Sequence, residues 1–140
     1  MIRTFICLSM LVLVLFSVIA VAGKSEKEAA AVTAAVEWLS LIDLEEYAES
    51  WQEAAQCFKD AVSEDQWVKA MKAGRMPFGM NISRELKSRH YSTSLPGALK
   101  GEYVVIQFRT SFENKKSAVE TITPMLDKDG NWRVSGYFLK

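Results

Sequence analysis

The hydrophobic period changes once along this chain, near Gly79, and that change narrows the fold class more than any other feature. Before Gly79 apolar residues recur at helical spacing. Val32, Val36, Leu39 and Ile42 mark one face, three to four residues apart, as a 3.6-residue turn requires. Leu44, Tyr47, Trp51, Ala54, Ala55 and Phe58 mark a second such stretch, and Trp67, Ala70, Met71 and Gly74 a third. Each stretch opens on a capping-box pattern, at Ser25–Glu28, Asp43–Glu46 and Ser63–Gln66. A box of this kind satisfies N–H groups that the first helical turn leaves free. Pro77 and Gly79 then stop the third helix.

Beyond Gly79 the period is two. Residues 81–93 alternate roughly, and Ser94-Leu95-Pro96-Gly97 is a turn. In Tyr103–Phe112, Val104, Ile106, Phe108 and Phe112 face one way, and Gln107, Arg109 and Ser111 the other. Ala118–Leu126 is a third strand, in which Pro124 cannot donate to a ladder and predicts a bulge or an unpaired edge. Asp129-Gly130 marks a hairpin before a last strand, Trp132–Leu139. The alternation puts Trp132, Val134 and Phe138 on one side of that strand and Arg133, Ser135 and Tyr137 on the other. Three helices followed by a four-strand meander predict an α+β domain. The helices pack on one face of a curved, cone-like antiparallel sheet.

The N-terminus reads as an address. Arg3 precedes an uncharged apolar run that ends in Ala20-Val21-Ala22. Positive start, apolar middle and small-x-small end are the parts of a secretory signal peptide. The expected division is a signal peptide at 1–22, a flexible lead at 23–29 and a single domain at 30–140. The expected location is periplasmic or secreted. The run Phe5–Ala22 also reaches the lower limit for a membrane span, about 17 residues, so an uncleaved anchor is the alternative.

Composition excludes several classes. Lys+Arg and Asp+Glu both number 17, which gives no electrostatic reason to expect nucleic acid as a partner. One His and two Cys cannot build a multi-histidine metal site or a zinc ribbon. After signal removal only Cys57 remains, within an apolar helical stripe where a small buried thiol is expected. No nucleophile elbow, metalloprotease helix, P-loop or paired-cysteine redox motif is present. No cofactor or metal is expected.

The run Trp38-Leu39, Asp43, Tyr47 and Trp51, followed by a capped helix with Gln66-Trp67, resembles the helical half of nuclear-transport-factor-2-like, cystatin-like domains. Ser83-Arg84-Glu85-Leu86-Lys87, Ser94-Leu95-Pro96-Gly97, Gly101-Glu102-Tyr103-Val104-Val105, Ser111-Phe112-Glu113-Asn114-Lys115 and Asp129-Gly130-Asn131-Trp132-Arg133-Val134-Ser135-Gly136-Tyr137 resemble a family of small exported bacterial proteins known as domain of unknown function 4019. The resemblance spans roughly residues 30–140. It implies a sheet curled into a cone around helices, and it brings no catalytic residues.

The candidate site is the polar side of the sheet. Gln107, Arg109, Arg133 and Tyr137 alternate onto it, with Glu120 between them in sequence. In a curled sheet these five could line a ligand pocket, with Arg109 holding an anion, Tyr137 donating and Glu120 acting as a base. Some similar cone folds are isomerases or dehydratases that use a carboxylate and a tyrosine. Against this, half-solvated sheets carry polar faces for solvation and register alone. The reading is therefore a non-enzymatic exported domain that binds a small ligand or an envelope protein. A general acid–base enzyme is the alternative, and a homodimer through the sheet is a third reading.

Overall fold

The structure is a computed structural model that describes the backbone from Ile2 to Lys140 and side chains from Gly23 onward. The side chains of the expected signal peptide, residues 1–22, lie outside that description. The elements are α1 (Ile2–Asp43), α2 (Tyr47–Gln52), α3 (Gln56–Ala61), α4 (Glu64–Gly74) and a 3-10 turn at Met76–Phe78. Four strands follow: β1 (Asn81–Ser92), β2 (Tyr103–Phe112), β3 (Lys115–Leu126) and β4 (Trp132–Leu139). They form one antiparallel meander in the order β1-β2-β3-β4. The α+β class and the four strands are as expected; the helices differ in detail.

Only the third capping box closes. The Ser63 hydroxyl accepts from the Gln66 N–H at 3.3 Å, and the Gln66 side chain accepts from the Ser63 N–H at 3.0 Å. Ser25 lies inside α1, so residues 23–29 are helix and not a flexible lead. They are held by the sheet: Lys27 pairs with Glu102, and Glu28 accepts from the Tyr91 N–H at 3.0 Å and pairs with Arg89 at 3.5 Å. Asp43 caps nothing, because its carboxylate is turned toward two arginines. The expected second helix is two short ones. Ala55, between them, is extended and donates its N–H to the Val134 carbonyl of β4 at 2.8 Å. That bond to the sheet displaces the helical one.

α1 touches all four strands and carries the core. Its buried face is Ala31, Ala35, Trp38, Leu39 and Ile42 against Val104, Ile106, Phe108, Ile122 and Val134. Val36, expected on this face, is 48% exposed. The face is rotated toward the alanines, whose small side chains let the helix backbone approach the sheet closely. Trp38 and Trp67 pack with ring centroids 5.9 Å apart, and both indoles donate to Ser50, to its carbonyl at 2.7 Å and its hydroxyl at 3.0 Å.

α1 ends in a Schellman turn. The Glu46 N–H bonds the Leu41 carbonyl at 2.9 Å and the Glu45 N–H bonds the Ile42 carbonyl at 3.1 Å. This turn requires a left-handed residue, normally glycine. Glu45 occupies it with φ 61°. Glu45→Gly is expected to raise stability by about 0.5–1 kcal/mol, measured by urea denaturation; an unchanged or lower midpoint would count against a strained Glu45.

Candidate functional site

Glu120 and Tyr137, two of the five expected site residues, do meet, but on the helix-bearing side of the sheet. In β3 the buried positions are Ala118, Glu120, Ile122 and Pro124. Glu120 therefore shares the apolar face, fully buried. Tyr137 reaches it through a bulge. Thr123 pairs with Gly136 and Pro124 with Val134, which leaves Ser135 as an extra residue. The Ser135 hydroxyl donates to the Thr123 carbonyl at 2.7 Å. The bulge, as Pro124 foretold, resets the alternation, so Val134 and Tyr137 both face α1 while Phe138 is 63% exposed. Simple alternation had put Val134 with Phe138 and against Tyr137.

The Glu120 carboxylate receives four donors. Arg84 Nε and Thr110 Oγ1 reach Oε1 at 2.7 and 2.6 Å; Tyr137 OH and an Arg84 terminal nitrogen reach Oε2 at 2.6 and 3.3 Å. Arg84 also grips Asp43, at 2.7 and 3.0 Å. Asp43 accepts in addition from Arg75 at 3.2 Å, and Arg75 donates to the Gly79 carbonyl at 2.8 Å while stacking 4.2 Å above the Phe112 ring. Two carboxylates and two guanidiniums make the cluster electroneutral. Burial opposes the Arg84 charge, but its bonds to Asp43 and Glu120 overcome this and raise its pKa. Burial, then the Glu120 charge, push the Tyr137 phenol far above its ordinary value. The phenol stays protonated and donates.

The other three expected residues are elsewhere. Gln107 lies on the outer face, between Ser88 and Thr121. Arg109 is exposed there, opposite Glu85 in the ladder. Arg133 is held by its own hairpin, 2.7 Å from Asp129 and 3.3 Å from Asp127. Asp43, Arg75, Arg84 and Thr110 were missed. Thr110 was legible as the polar residue in the inward register of β2; nothing local marks the two arginines, whose carboxylate partners lie 32 and 36 or more residues away.

Arg133 also lines a cleft of about 440 Å³ between α1, α2 and β4. Trp38 and Trp132 contribute its aromatic wall, and Glu37, Glu49 and Glu53 its carboxylates. Among the described residues, none of these three glutamates is in an ion pair. Among the described residues no three or more His, Cys, Asp or Glu side chains are grouped so as to hold a metal ion. Cys57 is half-buried with Sγ 3.2 Å from Met125 Sδ; burial, then the nearby Asp127 charge, raise its pKa, which keeps it a thiol. His90 is exposed on β1.

Residues 34–137 match the profile of the family described as "Protein of unknown function (DUF4019)". The chain belongs to this family. No curated protein and no solved structure matches it. The matched span begins within α1 and covers every residue of the Glu120 cluster and of the cleft wall.

Two predictions test these assignments. Glu120→Gln, which leaves Arg84 buried with half its counter-charge, is expected to cost about 3–5 kcal/mol, and Tyr137→Phe about 1–2 kcal/mol, both read by denaturant unfolding. A Glu120→Gln protein as stable as the parent would refute the cluster's structural role. The second concerns Asp129, whose pKa is lowered by the Arg133 guanidinium, then by the Asn131 amides. A depressed folded-state pKa stabilises above the unfolded value, about 3.9, and the contribution is lost as pH falls through the folded value. Arg133→Ala should return the Asp129 titration, followed by carboxyl NMR, toward the ordinary range.

Proposed function

We propose that the chain is an exported binding domain that holds another molecule in the α1–α2–β4 cleft, and not a general acid–base enzyme. The cleft carries this reading. It is an open depression with two tryptophans and three carboxylates outside any ion pair side by side, so an occupant can meet apolar surface and charge together. The carboxylate–tyrosine pair argues the other way for catalysis. A general base needs a free lone pair within reach of substrate, and all four acceptor positions of Glu120 are taken. The space a cone pocket would occupy is filled by Trp38, Leu39, Ile42 and Tyr137. Export is supported by Arg3, the apolar run and Ala20-Val21-Ala22.

Native mass spectrometry of the protein purified from the envelope of the producing cell tests both parts. The expected species is Gly23–Lys140 with an added mass, and the added mass is lost in Ala34→Arg, which blocks the cleft wall. A chain that keeps residues 1–22 overturns cleavage. An added mass that survives Ala34→Arg, including a second copy bound through the outer face of the sheet, overturns the cleft as the site, as does a bare mature mass.

A further inference from the structure

We infer that the occupant of this cleft is an extended segment of another protein bearing lysine or arginine. The inference rests on the binding reading above and names its ligand class. Charge is the first argument. Glu37, Glu49 and Glu53 are exposed along the wall and unpaired among the described residues. Arg133, the cation of the lining, is already held by Asp127 and Asp129 and cannot neutralise them. The wall thus presents net negative charge, which an incoming cation complements.

The aromatic wall gives the second argument. Trp132 is half-buried and packs against the core while lining the cleft. Among aromatics the indole face attracts cations most strongly. A lysine or arginine stem lying on Trp132 would bury its methylenes and keep its charged head among the glutamates. A carboxylate ligand would be repelled by those glutamates, and a neutral donor would gain a hydrogen bond but no charge pairing.

Extent is the third argument and separates a peptide from a free amine. A second depression of about 460 Å³ adjoins the first and shares Glu53 and Arg133 with it. It runs over the β3–β4 hairpin, past Gln56 and Asp127. It also carries Lys59 and Lys128, so negative charge is concentrated in the first depression. A small amine fills one depression. A chain with one cation anchored on Trp132 can run through both, its backbone crossing the hairpin.

The probe is an N-acetylated, C-amidated Gly-Lys-Gly-Lys-Gly peptide, with its doubly lysine-acetylated form and spermidine as controls. Binding is followed by ¹H–¹⁵N NMR of the mature chain at the Trp132 indole N–H and the Glu37 and Glu53 amides. The basic peptide is expected to shift these signals. Its binding should weaken about 2–5-fold in each of Glu37→Gln and Glu53→Gln, exposed positions whose replacement leaves the core untouched. The acetylated peptide should bind roughly tenfold more weakly. Equal binding of the acetylated peptide at Trp132 overturns the cationic class and leaves the cleft reading standing. Spermidine binding as tightly as the peptide overturns the peptide assignment. If no probe shifts the cleft signals, the inference fails; the cleft reading fails with it only if the native chain is bare or its added mass survives Ala34→Arg.

Discussion

The carboxylate of Glu120 is the point on which the architecture closes. Through Arg84 and Asp43 it joins β3 to β1 and to the end of α1; through Tyr137 and Thr110 it joins β4 and β2. Arg75 ties the end of α4 into the same cluster. A buried charge is costly, and a buried pair is seldom better for stability than well-packed apolar residues. Its use here lies in register. Sliding β3 by one residue would turn Glu120 to the outer face and leave Arg84 with Asp43 alone. The same slip would expose Ala118 and Ile122, so charge and apolar packing specify one register together.

The interior and the surface divide the work. Inside, Ser50 takes two indoles and Glu120 takes four donors, while Tyr47 OH, Arg75 Nε and Asn81 Nδ2 are buried without a partner. On the surface between α1, α2 and β4 the carboxylates of Glu37, Glu49 and Glu53 are left over. Residues that would be chosen for chemistry by type, a carboxylate beside a tyrosine, are spent on holding the fold. Residues of ordinary type on the helix surface acquire interest from where the fold puts them. The family assignment covers both regions without distinguishing them.

Much of the fold was legible because it rests on local signals. The Ser63 box, the stop at Gly79, the inward set of β2 and the irregularity at Pro124 each depend on a few neighbouring residues. Expectation failed where a distant partner overrode the local pattern. Ser25 and Asp43 have the form of caps, but the helix passes through the first, and the second is drawn away by Arg75 and Arg84. Ala31 and Ala35 lie on the buried face of α1 and Val36 does not, a placement that hydrophobic spacing misses because it gives small residues little weight. Of the candidate site, Glu120 and Tyr137 were found by type and placed on the wrong face. A single extra residue in β4 inverts the alternation, and nothing at Ser135 itself announces it.

The strand at the other end of the sheet has a bearing on how copies of this chain treat one another. β1 has one hydrogen-bonded neighbour, and its outer edge could recruit a foreign strand. It is irregular at two places, between Asn81 and Ser83 and between Leu86 and Ser88, and Arg84, Glu85, Lys87 and Arg89 stud its length. Glu28 also occupies the Tyr91 N–H. Irregular, charged and partly capped edges are the devices by which open sheets avoid stacking edge to edge. The β1 edge is thus a poor template for a second copy, and the arginine that locks the interior is one of its inward-turned charges.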